Sequence, residues 1–386
     1  MRQRSIAAVY MRGGTSRGLF LRAADLSADS PAEMRSRDAL LLRLMGSPDP
    51  YGTQTDGLGG ATQGSSKVVI VAPSARADSD VEVLFGQVSI KEAIIDWSGN
   101  GGNLSAAVGP FAIHQGWVAV SPDQPRTTVR IWQLHQQKSI LAHVPTHAGQ
   151  VMEEGQFQED GVAFPGAEIS LEYLDPADDG RDGLLPTGKP SDTLDISGIG
   201  PVRVSLINAG QPTVFVRADA LGLSGREMPE ALHRDKALLA RLEAIRAHAA
   251  VAMRLAKTPE DASQYRQASP RISFVAPPAS YRSSSGTDIS RDAIDVLARI
   301  FTLGKMHPGY TGTGSIALAV AAALPGSVVS EVTRTLPGVP TRIGHVAGVL
   351  AVGAFLSQGK RGWRVDKVVM SRSARRLMEG VVYAPC

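Results

Sequence analysis

The chain has 386 residues, 43% apolar and 20% charged, a balance that folds into a globular body large enough for two domains or one fold of two similar halves. Forty basic and 37 acidic residues leave a net charge of +3, spread without a Lys/Arg block, and aromatic residues make up only 5%, which argues against nucleic-acid binding. The only cysteine, Cys386, excludes a disulfide framework or a cysteine zinc site and points to the cytoplasm; Arg2, Arg4, Arg12, Arg17 and Arg22 break up any signal peptide, and the apolar run Ser315–Leu324 is too short to cross a bilayer.

Along the chain, Ile6–Tyr10 reads as the first strand and Ala32–Met45 as the first helix. Between them "MRGGTSRG" (Met11–Gly18) lacks the strand, G-x-G-x-x-G, helix order of a dinucleotide site. "GGATQGSSK" (Gly59–Lys67) is not a Walker A loop, because Ser65 and Ser66 separate Gly64 from Lys67. Strands follow at Val68–Val71 and Val81–Ile90. Lys67 stands at the joint of a Gly/Ser-rich loop and an apolar strand, where partial desolvation makes an amine a usable general base near neutral pH; the plainer reading is an exposed lysine at a strand start.

Next, Asn100-Gly101-Gly102-Asn103 opens onto a small-residue helix, Leu104–His114. The first N–H groups of a helix lack partners and sit at its positive end, so a bare glycine turn there can hold a carboxylate or phosphate, or can simply permit close packing. Strands are predicted at Val118–Val120 and Thr128–Trp132. His143 and His147 are separated by Pro145 and no H-E-x-x-H occurs, so no metal is indicated. The segment Asp175–Asp192, rich in Asp, Gly and Pro, reads as a boundary between two strand-rich halves.

The second half predicts strands at Val202–Ile207, Thr213–Val216, Val346–Val352 and Arg364–Met370, and helices at Pro229–Ala256, Arg291–Phe301 and Gly314–Ala323. Asp288-Ile289-Ser290 looks like the start of the second helix and Gly304 its close. "TGTGSIALAVAAAL" (Thr311–Leu324) repeats the glycine turn and small-residue helix of the first half, so each half is expected to wrap strands around one central helix. The pattern is α+β rather than alternating βαβα. No G-x-S-x-G turn supports serine hydrolase chemistry.

Taken together, "MRGGTSRG", "GSPDPYGTQTDGLGGATQGSSK" (Gly46–Lys67), "DWSGNGGNL" (Asp96–Leu104), "NAGQPTVFV" (Asn208–Val216) and "MSRSARRLMEG" (Met370–Gly380) resemble the PrpF family, and more remotely the diaminopimelate epimerase fold. The resemblance covers nearly the whole chain. It implies an α+β fold of two similar domains, each a β-barrel-like sheet around a central helix. Residues 1–186, completed by a C-terminal strand at about 374–386, would form the first domain and residues 187–373 the second.

The resemblance also implies a cofactor-independent isomerase of an unsaturated di- or tricarboxylate (2-methylaconitate, aconitate, 4-oxalomesaconate or methylitaconate), with a place in the methylcitrate cycle of propionate catabolism. Lys67 matches the family's base. Family members read N-C-G-N where Gly101 stands, so the cysteine credited as second acid or base is missing. Thr311 stands where the distant epimerases carry their other cysteine, so two-thiol racemisation is excluded. A lysine-only route remains, by cis-trans exchange or an allylic 1,3-proton shift; the rival is a protein that binds carboxylates without turning them over.

Candidates for one carboxylate are Thr15, Ser16 and Arg17 with Asn100, Gly102 and Asn103; for another, Thr313, Gly314 and Ser315 with Asn208. Arg372 and Ser373 are further candidates because an arginine fork suits a carboxylate, against a surface ion pair for Arg372 and backbone capping for Asn208. The expected partner is a small carboxylic acid, with no metal, cofactor, nucleic acid or membrane; a homodimer is compatible.

Overall fold

The computed structural model describes residues 3–26, 30–97, 101–177, 183–336, 338–359 and 362–385, so Asn100 and residues 178–182 of the expected boundary segment lie outside the described residues. Contacts divide the chain into two units, Met1–Tyr173 with Ser371–Cys386, and Leu174–Met370. The division falls at 173/174, ahead of the expected 186/187.

Unit 1 contains β1 (Gln3–Gly13), β2 (Ser16–Arg22), α1 (Pro31–Met45), β3 (Lys67–Pro73), β4 (Val81–Val88), β5 (Ile95–Asp96), α2 (Ser105–His114), β6 (Arg126–Gln133), β7 (Lys138–His147), β8 (Gln150–Val151), β9 (Ile169–Leu174) and the C-terminal strand Ala374–Pro385. Its pairing order is C-terminal strand, β1, β2, β3, β4, β6, β7, β9, antiparallel except at β2–β3 and β4–β6. Helix α2 touches β1 and the C-terminal strand as well as β6 and β7, so strands from both ends of that order enclose it. An enclosed helix must be apolar all round, and α2 is buried from Ser105 to Ala112.

Strand periodicity separates two faces. Phe20 points inward, its ring 5.5 Å from that of Phe111 on α2, whereas Leu19, Leu21, Val68 and Ile70 point outward into a cluster with Leu41, Leu42, Leu44 and Met45 of α1. Helix α1 begins with a Ser30/Glu33 capping box and ends at Gly46 in the left-handed region.

Unit 2 contains β10 (Asp192–Ile196), β11 (Gly200–Ile207), β12 (Thr213–Arg217), α3 (Pro229–Leu232), α4 (Lys236–Ala252), α5 (Pro259–Tyr265), β13 (Arg271–Ala276), β14 (Tyr281–Arg282), β15 (Asp288–Ile289), β16 (Val296–Thr302), β17 (Lys305–Met306), α6 (Gly312–Ala323), β18 (Thr341–His345), β19 (Gly348–Gly359) and β20 (Gly362–Arg372). The order β10, β11, β12, β13, β16, β18, β19, β20 is parallel only at β12–β13 and β16–β18. This is the order and sense of unit 1, with β10 in the place of the C-terminal strand. Helix α6, buried from Gly312 to Ala322, touches β11, β18 and β19, while α4 packs Leu238, Leu242 and Ile245 against Ile272 and Phe274.

Four predicted elements are corrected. Arg291–Phe301 is a short 3-10 turn followed by strand β16, and Gly304, at φ +71°, serves the turn to β17 rather than closing a helix. The long helix expected at Pro229–Ala256 is two helices, because Asp235 starts a new one by accepting from the Leu238 N–H. Val118–Val120 forms no strand, and the strand expected at Val346–Val352 starts two residues late, Val346 and Ala347 forming the turn after β18 and the rest opening β19.

Candidate active site

Lys67 is the first residue of β3 and faces Gln87 across the β3–β4 ladder. Its Nζ donates to Gln87 Oε1, while Gln87 Nε2 donates to the Ser66 carbonyl at 2.9 Å, which turns the amide oxygen toward the lysine. Val68 belongs to the outer cluster, so Lys67, one residue earlier, points to the α2 side. Glycine makes this approach possible: a Cβ at Gly18 would lie 2.9 Å from the Lys67 carbonyl oxygen and 3.1 Å from Leu104 Cδ1.

The turn ahead of α2 is held from behind. Gly101 O accepts from Ser105 N at 2.9 Å, and Gly102 O accepts from the Tyr173 hydroxyl at 2.8 Å. Burial pushes the Tyr173 phenol up to about 12, so it remains a donor. Among the described residues the backbone N–H groups of Gly102, Asn103 and Leu104 find no acceptor. Donors left open in this way at the positive end of a helix have the chemistry to hold a carboxylate.

Asn103 links this turn to three of the predicted residues. Its Nδ2 donates to Thr15 Oγ1 at 2.9 Å and lies 3.4 Å from Ser16 Oγ; its Oδ1 accepts from Arg372 Nε at 3.3 Å. Arg372 is not a surface group. Its Nε lies 3.4 Å from Glu159 Oε1, with side-chain exposures of 4% and 7%, and Ser373 donates to Glu159 Oε2 from N (2.9 Å) and Oγ (3.0 Å). Arg372 and Ser373 therefore brace the turn through Asn103 and Glu159, with Nε engaged there and Nη1 on the Ser371 carbonyl.

Arg17 does not join Thr15 and Ser16 in contacting Asn103. Consecutive strand residues project to opposite faces, so while Ser16 meets Asn103, the Arg17 guanidinium lies 5.9 Å from the Tyr10 ring centroid and close over Gly60. It lines a cavity of about 380 Å³ with Thr15, Ser16, Gly60, Thr62 and Ser65, which Lys67 does not line. Gln54, which sequence reasoning missed, ties this loop to Lys67's strand: 1% exposed, it donates from Nε2 to Ser47 Oγ (2.9 Å) and Ser66 Oγ (2.8 Å) and accepts from Ala61 N (2.9 Å).

Gly101 is bordered by the Phe85 ring. A Cβ at position 101 would lie 2.0 Å from Phe85 Cδ1 and 2.3 Å from Cε1, well inside the 3.0 Å that real Cβ atoms keep. Phe85 is paired with Val69, two residues from the Lys67–Gln87 pair on the same face of the ladder. The ring fills the volume that a side chain at 101 would need.

In unit 2, Thr311 caps α6 by accepting from the Gly314 N–H at 3.1 Å, and fully buried Ser315 donates to the Gly312 carbonyl at 2.7 Å, so both serve the helix. A Cβ at Gly314 would lie 2.4 Å from Ile300 Cδ1, which makes this glycine a packing requirement. The loop carrying Asn208 rests on the same helix start: Gly210, at φ +67°, could take no Cβ without coming 3.0 Å from the Thr313 carbonyl oxygen. The half-buried Asn208 side chain makes no hydrogen bond among the described residues, so it caps nothing there. Sequence reasoning also missed Arg271, whose Nη1 donates to Thr311 Oγ1 (2.6 Å) and Thr313 Oγ1 (2.7 Å). Among the described residues, no group of three or more His, Cys, Asp or Glu converges to hold a metal, and no helix is long and apolar enough to cross a membrane.

Two sets of strands paired in the same order, each around an apolar helix with a glycine-rich mouth, define an α+β fold of the epimerase type. A hydroxyproline epimerase from Agrobacterium vitis shares it, with a TM-score of 0.54 at 13% identity over 98% of this chain and 93% of that one. The chain belongs to the PrpF family, described as PrpF protein, which it matches over residues 3–385. It is 48% identical over 388 residues to the 2-methyl-aconitate isomerase of Shewanella oneidensis, covering 99% of this chain and 98% of the relative. The solved structure of a methylitaconate-delta-isomerase aligns with a TM-score of 0.85 and 37% identity, covering 99% and 96% of the two chains. This chain is an isomerase.

Proposed function

We propose that the chain interconverts the cis and trans forms of 2-methylaconitate, with Lys67 as its base and without a cofactor. The observation that carries the reading is Lys67 on the inner face of β3, steered by Gln87, beside a helix mouth whose Gly102, Asn103 and Leu104 N–H groups have no acceptor among the described residues. The substrate's C4 methylene is allylic to the double bond and adjacent to a carboxylate. Uncharged Lys67 Nζ removes one C4 proton; the electron pair spreads into a dienolate, and the C2–C3 bond gains single-bond character and rotates. The same ammonium then returns the proton to C4, restoring the double bond and the free amine. Fixed N–H donors and the helix dipole stabilise the charge that develops on the carboxylate.

Binding without turnover is the competing reading, favoured by the Phe85 ring at the place where relatives of this type are expected to carry an acid or base. Proton NMR in deuterated buffer with the trans acid decides between them. Wild type should isomerise it and take up deuterium at C4, and Lys67→Met should lose about 10²-fold or more of that rate. Saturable binding with no exchange by wild type would leave only the binding reading.

A further inference from the structure

The repeated pairing order gives Lys67 a counterpart. Lys67 opens β3, the strand that runs parallel to β2 after the outer helix α1. Arg271 opens β13, the strand that runs parallel to β12 after the outer helices α4 and α5. The central helices α2 and α6 also occupy the same interval, following β5 and β17 respectively. Both units thus place a basic residue at the start of the same strand, and in unit 2 its contact with the helix mouth is direct, through Thr311 and Thr313.

We infer that Arg271 is the carboxylate receptor of unit 2, the holding counterpart of the proton-exchanging lysine in unit 1. The choice of a polycarboxylate as ligand rests on the proposed function; the anion site itself rests on the following geometry. Arg217, Arg246 and Arg342 of the same unit each meet a carboxylate at 2.5 to 2.7 Å. Arg271 meets none among the described residues: its partners are two neutral hydroxyls. Its Nε is sealed from solvent with no acceptor, and its Nη2, also without an acceptor among the described residues, is not sealed.

A guanidinium in a poorly solvated place without a counter-charge is costly to keep and is rarely left so unless an anion arrives. Burial pulls it down to about 10, which leaves it charged at neutral pH. The adjacent N–H groups of Gly312 and Thr313, the first two of α6, have no intrahelical acceptor and face the same end of the helix dipole. An arginine suits this post because it binds a carboxylate through a fork and does not give up its proton.

The test uses the full-length protein, with tricarballylate, a saturated tricarboxylate that cannot isomerise, as the probe. Calorimetric titration should show Arg271→Gln binding roughly 10- to 100-fold more weakly than wild type, with Arg271→Lys recovering part of the loss. The ¹⁵N signal of Arg271 Nε should shift on titration of wild type, and the Tm of Arg271→Gln should not fall, because the deleted charge had no protein counter-ion. Unchanged affinity in Arg271→Gln, or no binding of tricarballylate by wild type, overturns the inference; so does an affinity loss matched by a fall in Tm that Arg271→Lys shares. Lys67→Met separates the two readings: it should keep tricarballylate binding while losing turnover, and normal turnover by Lys67→Met would sink the proposed chemistry while leaving the Arg271 result standing.

Discussion

Replacing Arg372 by Met tests whether the brace behind the α2 turn is electrostatic. The variant keeps the length of the side chain and removes the charge, leaving Glu159 at 7% side-chain exposure without its ion-pair partner. Losing one partner of a buried pair costs about 3–5 kcal/mol. The low end applies here, since Glu159 Oε2 keeps two donors from Ser373 and the carboxylate still feels the nearby Arg12. About 3 kcal/mol corresponds to a fall in Tm of roughly 6–12 °C for a unit of this size. Differential scanning calorimetry of Arg372→Met, Glu159→Gln and the double variant measures both the loss and the coupling. The double variant should lose at least about 1 kcal/mol less than the two single losses combined, because it leaves no buried charge unpaired. A single-variant loss below about 1 kcal/mol, or additivity within about 0.5 kcal/mol, would refute the buried-brace argument.

Two further outcomes follow from the same region. Tyr173 has its phenol raised from 10.0 to about 12, so its contribution to stability is fully present below pH 10 and is lost as pH rises through about 12. Tyr173→Phe should flatten the alkaline loss of stability by on the order of 3 kcal/mol, read from Tm between pH 9 and 12; an unchanged slope would mean the hydroxyl titrates normally. Gly101→Cys should lower Tm, because its Cβ meets the Phe85 ring, by about 1–3 kcal/mol or more. Combined with Phe85→Ala the losses should be less than additive, and additive losses would show that ring and side chain do not compete for that volume.

Much of the fold was legible because its signals are local. The glycine turns, the small-residue helices and the β-branched runs fix α2, α6, β3 and β11 from sequence alone. The error at Arg291–Phe301 has a definite cause: "VLARIF" fits either period, and an arginine within it reads as a solvent-facing helical position. Instead Arg299 is fully buried in β16, donating from Nη1 to the neighbouring Ala298 carbonyl (2.9 Å), and from Nε to the Glu227 carbonyl (2.9 Å) and Nη1 to that of Gly344 (3.2 Å), two acceptors that only the tertiary fold supplies. The site was legible as a set of residues but not as a grouping. Thr15, Ser16 and Arg17 look like one unit in the chain, and the two-residue period of β2 sends Arg17 to the other face. Arg271 carries no motif; only the repeated pairing order singles it out.

The nature of Lys67's neighbour gives the most direct control over the proposed chemistry. A lysine that removes a proton must first be uncharged, so its fixed partner should accept a hydrogen bond without adding negative charge. Gln87 meets that requirement: its oxygen accepts from Nζ and its own NH₂ is spent on the Ser66 carbonyl, so the amide cannot turn over to present a donor without losing that bond. Gln87→Glu preserves size and the acceptor oxygen but places a full negative charge against the amine, which then holds its proton more tightly. The rise of kcat/KM with pH should therefore move upward by about one to three pH units, with a matching loss of rate at neutral pH and recovery of the rate at high pH. Gln87→Met, which removes the acceptor without adding charge, should lower the rate without moving the profile. If Gln87→Glu lowers the rate equally at every pH, the lysine is not the group whose ionisation limits the reaction, and Gln87 acts only by packing.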